Sequence, residues 1–321
     1  MEIAQRVFTY RGRSGERIRP GAGSVNVTLV KGDALLMLDS GVIRGGAFRE
    51  LEAKMSADGL TLREVASVAH THCHWDHINA SGIMRNRFGA MLLAGAADAP
   101  CIEDWERNFR GFLSDFGEFT REVFPYPLAL ARFFIWLAWG PQPALTVDRP
   151  LVSGDVIDVG RRVEAVALPG HTTGHMGYFI RDAGVLVLGD LIDFENSQGM
   201  DLNNPGSDYG AALQSLECAL ALEPEVMIPG HGAPTVGRAE VRKVLKRALD
   251  GGRDYPSRIR AALGARPLRL KQIARQVFPD VSFSMEAMTR MLVLIVLLHM
   301  QREGQARRCP ASGSPLWVRA D

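Results

Sequence analysis

The 321-residue chain has only four cysteines, Cys73, Cys101, Cys218 and Cys309, and none stands in a C-x-x-C pair. Scattered thiols in a chain of this length point to reduced side chains and exclude a disulfide framework. Long hydrophobic runs are missing too: the longest apolar stretch, Pro127 to Gly140, is interrupted by Arg132 and is too short to span a bilayer. The first residues carry Arg6, Arg11 and Arg13 among polar neighbours and lack the apolar segment that secretion requires, so a cytoplasmic protein with no membrane partner is expected. No H-E-x-x-H is present, which removes the helical two-histidine metal site. A net charge of +1 gives no global steering toward polyanions, but it hides an asymmetry. Residues 238–321 hold 17 Lys+Arg against 7 Asp+Glu, a net of +10, and residues 1–237 carry the balancing −9. With 46% hydrophobic residues the chain can bury a large core and divide into more than one domain.

Histidine is what the chain concentrates. Four of its eight lie in His70-Thr71-His72-Cys73-His74-Trp75-Asp76-His77, directly after the apolar run Val65 to Ala69. A chance H-x-H-x-D-H in this composition has a likelihood on the order of a few in ten thousand. In an extended segment, residues two apart share a side, so His72, His74 and Asp76 converge while His77 turns to a neighbouring point. One loop can therefore serve two metals, whereas buried imidazoles alone would each need a separate hydrogen-bond partner. The same alternation points Cys73 away, and its thiol is not expected in the chemistry.

Other strand-then-turn segments deliver further ligand types. His171 sits in Leu168-Pro169-Gly170-His171-Thr172-Thr173-Gly174-His175 after the run Val163 to Leu168, and His231 in Val226-Met227-Ile228-Pro229-Gly230-His231-Gly232. Between them Val185-Leu186-Val187-Leu188-Gly189-Asp190 reads as a buried strand ending in a carboxylate. His299, in the apolar run Met291 to His299, reads as a packed helix histidine.

The order H-x-H-x-D-H, P-G-H, L-G-D, P-G-H-G resembles the metallo-β-lactamase superfamily, particularly its glyoxalase II-like hydrolases, over roughly residues 20 to 240. The resemblance implies an α/β fold, the αββα sandwich of that superfamily. It also implies that His72, His74 and His171 bind one divalent metal, that Asp76, His77 and His231 bind a second, and that Asp190 bridges them. His175 would orient His171 or the turn, Asp39 would occupy a structural turn near the site, and His70 falls outside the pattern. Two divalent ions, two aspartates and a bridging hydroxide sum to about +1, a centre suited to polarising a carbonyl while the hydroxide attacks. Asp76 is the expected proton acceptor. Zinc is favoured, and iron and manganese fit the same ligands.

Strands are expected at Ser24 to Val30 and Ala34 to Leu38, and helices at Phe48 to Asp58 and Ser81 to Phe88. Residues 1–247 are read as the catalytic domain. Within it, residues 97–146 form an aromatic helical cap insertion with Trp105, Phe109, Phe112, Phe116, Phe119, Phe124, Tyr126, Phe133, Phe134, Trp136 and Trp139. That cap suits an apolar pocket wall, with a homodimer interface as the competing use. Residues 248–321 are read as a small basic C-terminal domain. Helices are expected at Ala239–Leu249, Pro256–Leu263, Leu270–Phe278 and Met285–Gln301, and the last two with the following glycine resemble a winged helix. The leading expectation is a dinuclear metal hydrolase acting on a small-molecule ester, thioester or lactone. Its alternatives are a phosphodiesterase or endoribonuclease on single-stranded RNA, invited by the basic tail but not favoured, and a non-catalytic ligand sensor with the same fold.

Overall fold

The computed structural model describes residues 1–12, 25–43, 46–106, 109, 117–123, 127–140, 145–193, 199–202, 206–264, 266–281, 285–310 and 315–320. Seven strands form the first sheet: β1 (Glu2–Ala4), β2 (Val7–Arg11), β3 (Asn26–Lys31), β4 (Leu35–Leu38), β5 (Val65–His70), β6 (Met91–Gly95) and β7 (Arg149–Leu151). Spatial order follows chain order. The first four are antiparallel and the last three join in parallel, which requires crossovers; the helices Ala47–Ala57 and Ser81–Phe88 supply two of them.

Strands β8 (Val156–Asp158), β9 (Arg162–Ala167), β10 (Met176–Ile180) and β11 (Val185–Gly189) belong to a second sheet. A short pair, β12 (Ile192–Asp193) and β13 (Gly199–Met200), precedes its last members, β14 (Val226–Pro229) and β15 (Thr235–Val236). The order is β15-β14-β11-β10-β9-β8, and the parallel β11–β14 step is bridged by the helix Tyr209–Ala221.

The central strands explain the layering. In β4, Leu36 and Leu38 join an apolar cluster with Val187 and Ile228 between the sheets, while Leu35 and Met37 join another with Phe48, Leu51 and Met55 of the covering helix. In β11, Val185 and Val187 face inward, and Leu186 and Leu188 pack with Ala212 and Leu216 outside. A strand covered on both faces needs no polar alternate, which is why these segments read as unbroken apolar runs. The result is the expected αββα sandwich, with helices added at the C-terminal end.

Most expected elements appear within two residues of their positions. Ser24 lies outside the described residues, and the strand there begins at Asn26. The C-terminal helices require a correction. Ala239–Leu249 and Pro256–Leu263 are one 25-residue helix, Arg238–Ala262, which runs across the 247/248 boundary and through Pro256. Proline lacks the N–H that would bond the carbonyl four residues earlier, here that of Gly252. The buried Tyr209 hydroxyl donates to that carbonyl at 3.0 Å, so a tertiary donor replaces the missing helical one. Two further helices, Leu270–Val277 and Glu286–Arg302, and the antiparallel pair β16 (Ala306–Cys309) and β17 (Leu316–Arg319) complete this region around the fully buried Trp317.

The insertion is helical where described, at Ala99–Glu103, Thr120–Val123 and Leu128–Trp139. Phe112, Phe116, Phe124 and Tyr126, and the side chains of Phe134 and Trp139, lie outside the described residues. The Trp105 and Phe109 rings stack at 5.2 Å, and Arg132 lies over both while forming a forked ion pair with Glu106. Phe119 stacks on Trp317 at 5.7 Å, joining the insertion to the C-terminal hairpin. Among the described residues no helix is long and apolar enough to cross a membrane.

Tyr209→Phe should destabilise the protein by about 1–3 kcal/mol, because it strands a buried carbonyl. In a Pro256→Ala background, where the helix regains its own donor, denaturant melts should show a smaller cost. Equal costs in both backgrounds would refute this account of the helix.

Candidate metal centre

The site lies where β4, β5, β11 and β14 end and where the turn between β9 and β10 reverses, the edge at which open α/β sheets expose their loops. After β5 the chain bends at residues 71–73, is extended at His74 and then winds into the short helix Trp75–Ile78, which carries the His77 ring to 4.1 Å from that of His72 with its Nε2 toward Asp190. At the end of β4, Asp39 takes a left-handed conformation (φ 57°) that aspartate tolerates better than most residues. Its carboxylate accepts from the Thr71 N–H and hydroxyl and from His77 Nδ1, all at 2.8 Å.

Two groups of donors result. His72, His74, His171 and Asp190 place one ligand atom each within 4.8 Å of one another, as do Asp76, His77 and His231. In the first, His74 Nδ1 lies 2.8 Å from His72 Nε2 and 2.9 Å from His171 Nε2. Asp190 reaches both groups through one atom: Oδ2 is 3.8 Å from His72 Nε2 and 3.9 Å from His171 Nε2, and 3.3 Å from His77 Nε2 and 3.1 Å from His231 Nε2. Asp76 Oδ2 lies 3.5 Å from His231 Nε2. A Cβ on Gly230 would sit 1.8 Å from Asp190 Oδ1, which explains the glycine before His231. Asn26 fastens that turn by donating to the carbonyls of Pro229 and Gly232.

Hydrogen bonds on the far ring atoms assign the tautomers. The Asp201 carbonyl accepts from His171 Nδ1 at 2.8 Å, and the Asp39 carboxylate from His77 Nδ1. The Thr71 hydroxyl, which donates to Asp39, must accept from His72 Nδ1 at 3.0 Å. In each ring Nδ1 carries a proton and Nε2 faces the centre, as a free lone pair in neutral His72 and His171. Burial holds His72, His74 and His171 below their ordinary pKa, and neighbouring histidines reinforce the effect. Burial also opposes the charge on His77 and His231, but the carboxylates Asp190, Asp39 and Asp76 around His77, and Asp190 and Asp76 around His231, overcome it. His77 is raised well above its ordinary value and His231 to about 9. Asp190 is held well below the usual carboxylate range: burial resists ionisation, and charges on His231 and His77 outweigh it. His77 Nε2 and Asp190 Oδ1 are buried with no hydrogen-bond partner. Converging imidazole nitrogens, an unsatisfied buried carboxylate oxygen and one carboxylate shared by both groups are the donor chemistry that two divalent cations fit.

The remaining histidines separate cleanly. His175 Nε2 accepts from the Asp190 backbone N–H at 3.1 Å, so its lone pair is spent on orienting Asp190, and burial lowers its pKa to about 3. His70 Nε2 meets the Ser81 hydroxyl, which continues through Ser40 to the His77 carbonyl. His299 packs on Tyr209 at 4.8 Å, far along the chain from the centre. The Cys73 thiol bonds Cys101 and is buried beside Asp98, which together push its pKa well up and leave it a poor nucleophile. Sequence reading missed Thr71, Ser40, Asn26, Asp98 and Asp201. No motif marks them, and only Thr71 lies inside one.

These shifts set the pH response of the metal-free chain. The depressed His70, His72, His74, His171 and His175 contribute stability that is present above their unfolded value of 6.5 and lost as pH falls. The elevated His77 and His231 contribute stability present below 6.5 and lost as pH rises toward 9. Thermal midpoints of chelator-treated protein should therefore peak near pH 6.5, with the alkaline limb shallower in His231→Gln. A midpoint constant from pH 6.5 to 9 would contradict the assignment.

Residues 20–231 match the family model of the metallo-beta-lactamase superfamily. Among curated proteins, the chain is 26% identical over 275 residues to "Probable metallo-hydrolase YqjP" of Bacillus subtilis, covering 81% of this chain and 82% of that one. It is 29% identical over 197 residues to a hydroxyacylglutathione hydrolase of Acidiphilium cryptum, covering 59% and 62%. Among solved structures it superposes on the metallo-beta-lactamase family protein TTHA1429 of Thermus thermophilus with a TM-score of 0.77 over 98% of each chain, at 20% identity, a likeness of fold. With its sandwich, its His/Asp centre and its family match in agreement, the chain belongs to the metallo-β-lactamase superfamily and is a hydrolase of that superfamily.

Proposed function

We propose that the chain is a dinuclear metal hydrolase of a carboxylic ester, thioester or lactone, in which His72, His74 and His171 hold one ion, Asp76, His77 and His231 the other, and Asp190 serves both. The observation that carries this reading is the position of Asp190 Oδ2 within 4 Å of imidazole nitrogens from both groups. Imidazole and carboxylate donors favour zinc, and iron or manganese suits the same set. When bound, the ions supply Lewis acidity toward a substrate oxygen and bring the pKa of water toward neutrality.

The chain's own residues supply the rest. His72, His77 and His171 are sealed, whereas the side chains of Asp76 and His231 are 17% and 21% exposed, so substrate approaches from their side. There the Asp76 carboxylate orients the attacking water and accepts its proton. Trp75 follows His74 directly, and its ring lies 5.7 Å from Trp105 and 6.2 Å from Phe109; we read the insertion as the apolar wall of the entrance. An apolar wall beside an acidic catalytic region suits an acyl group better than a polyanion. The relative named hydroxyacylglutathione hydrolase agrees with an acyl substrate. Part of the C-terminal basic charge is locally paired: Arg253 with Glu217, Arg302 with Asp208 and Arg275 with Glu286, while Arg258 lies over Phe278. We read the last two helices and the β16–β17 hairpin as a winged-helix-like unit that backs the insertion, with no role in binding RNA.

The test is a hydrolysis screen of zinc-loaded protein against acyl thioesters, lactones, phosphodiesters and RNA. At least one acyl class should turn over, with activity lost on chelation and restored by zinc. Turnover of RNA alone, or silence across the panel, would sink the acyl reading. Asp76→Asn, assayed at zinc concentrations high enough to fill both positions, should lower kcat about 10²- to 10⁴-fold. Full turnover in that variant would remove the proton role.

A further inference from the structure

Asp98 follows β6 at the start of the helix Ala99–Glu103, belongs to none of the histidine motifs, and is only 2% exposed. Its Oδ2 accepts from the Cys73 N–H at 3.0 Å and from the Thr172 hydroxyl at 2.7 Å, and its Oδ1 from the Gly174 N–H at 2.7 Å. Every one of these donors lies on a loop that carries donors of the centre. Cys73 stands between His72 and His74, Thr172 follows His171, and Gly174 precedes His175, whose ring holds the Asp190 backbone. The contact is too close for any other residue at position 174, where a Cβ would lie 2.2 Å from the Asp98 nitrogen.

We infer that Asp98 is a positioning residue for one of the two ions: its carboxylate sets the spacing between the His72/His74 loop and the His171 turn, segments 97 residues apart. The inference rests on the ligand reading above. A carboxylate suits this place because it only accepts, and three donors converge on it. An asparagine has nearly the same shape but must present an NH₂ to at least one of those donors, which forces one loop away from the other. The second donor group, Asp76, His77 and His231, is fastened by Asp39 and Asn26, which Asp98 does not bond, so the larger effect falls on one ion.

Zinc titrations of full-length protein against a chromophoric chelator test this directly. Wild type should take up two ions, and His171→Ala identifies the step that belongs to the first group. Asp98→Asn should weaken that step about 10- to 100-fold, as loss of an outer-shell partner does, and leave the other within about twofold. Thr172→Val, which removes one of three bonds and spares the fold, should weaken the same step about fivefold. Two unchanged ions, or both weakened in parallel with a lower melting temperature of the metal-free protein, would overturn the role of Asp98 and leave the ligand reading standing. Fewer than two ions in wild type would overturn that reading and this inference together.

Discussion

Moving an ionised carboxylate out of water costs several kcal/mol even after relaxation, yet Asp39, Asp98 and Asp190 are each at most 5% exposed. That cost shapes the molecule, since a buried carboxylate needs fixed donors around it. Asp39 takes three donors from Thr71 and His77, and Asp98 takes three from Cys73, Thr172 and Gly174. Asp190 lies among the imidazoles of His77, His231, His72 and His171. In all three cases the donors belong to the loops that carry the centre. Satisfying the buried charge and arranging the site are therefore one physical task.

The scaffold makes this affordable. Central strands such as β4 and β11 are apolar on both faces, so the sheets are gripped by close packing from inside and outside. Polar residues appear where the strands stop. His70 shows the transition: it is fully buried at the last position of β5, and its ring works through Ser81 and Ser40 to support the His77 carbonyl. A histidine that looks surplus beside H-x-H-x-D-H thus underpins the loop without facing its centre.

The insertion and the C-terminal region depend on each other in a different way. Phe119 on Trp317, with Arg308 over both rings, joins them on one side, while Trp105 and Phe109 reach Trp75 on the other. Aromatic rings contribute large apolar area and defined edge or stacked geometry, so a few contacts can join separate segments. Through Trp75 this packing meets the loop that carries His74 and Asp76, which makes the insertion the element best placed to tune what approaches the centre.

The αββα order, and the motifs that carry the candidate donors His72, His74, Asp76, His77, His171, Asp190 and His231, were legible in sequence through a family resemblance that rests on short local patterns. Apolar runs mark strands covered on both faces, and clustered histidines or strand-end carboxylates need only two to eight residues to be seen. The tautomers were not legible, nor were the roles of Asp98, Asn26 and the Asp201 carbonyl, since each depends on a partner far along the chain; Asn26 and Pro229 are 203 residues apart. The helix through Pro256 escaped for the same reason: local propensity predicts a break, and the Tyr209 hydroxyl, 43 residues before Gly252, satisfies the carbonyl that the proline leaves open. Sequence alone determined which donors exist and which strand ends present them. Tertiary structure decided which lone pairs face one another, because a ring's proton goes to whichever nitrogen finds an acceptor, and that acceptor is supplied by the fold.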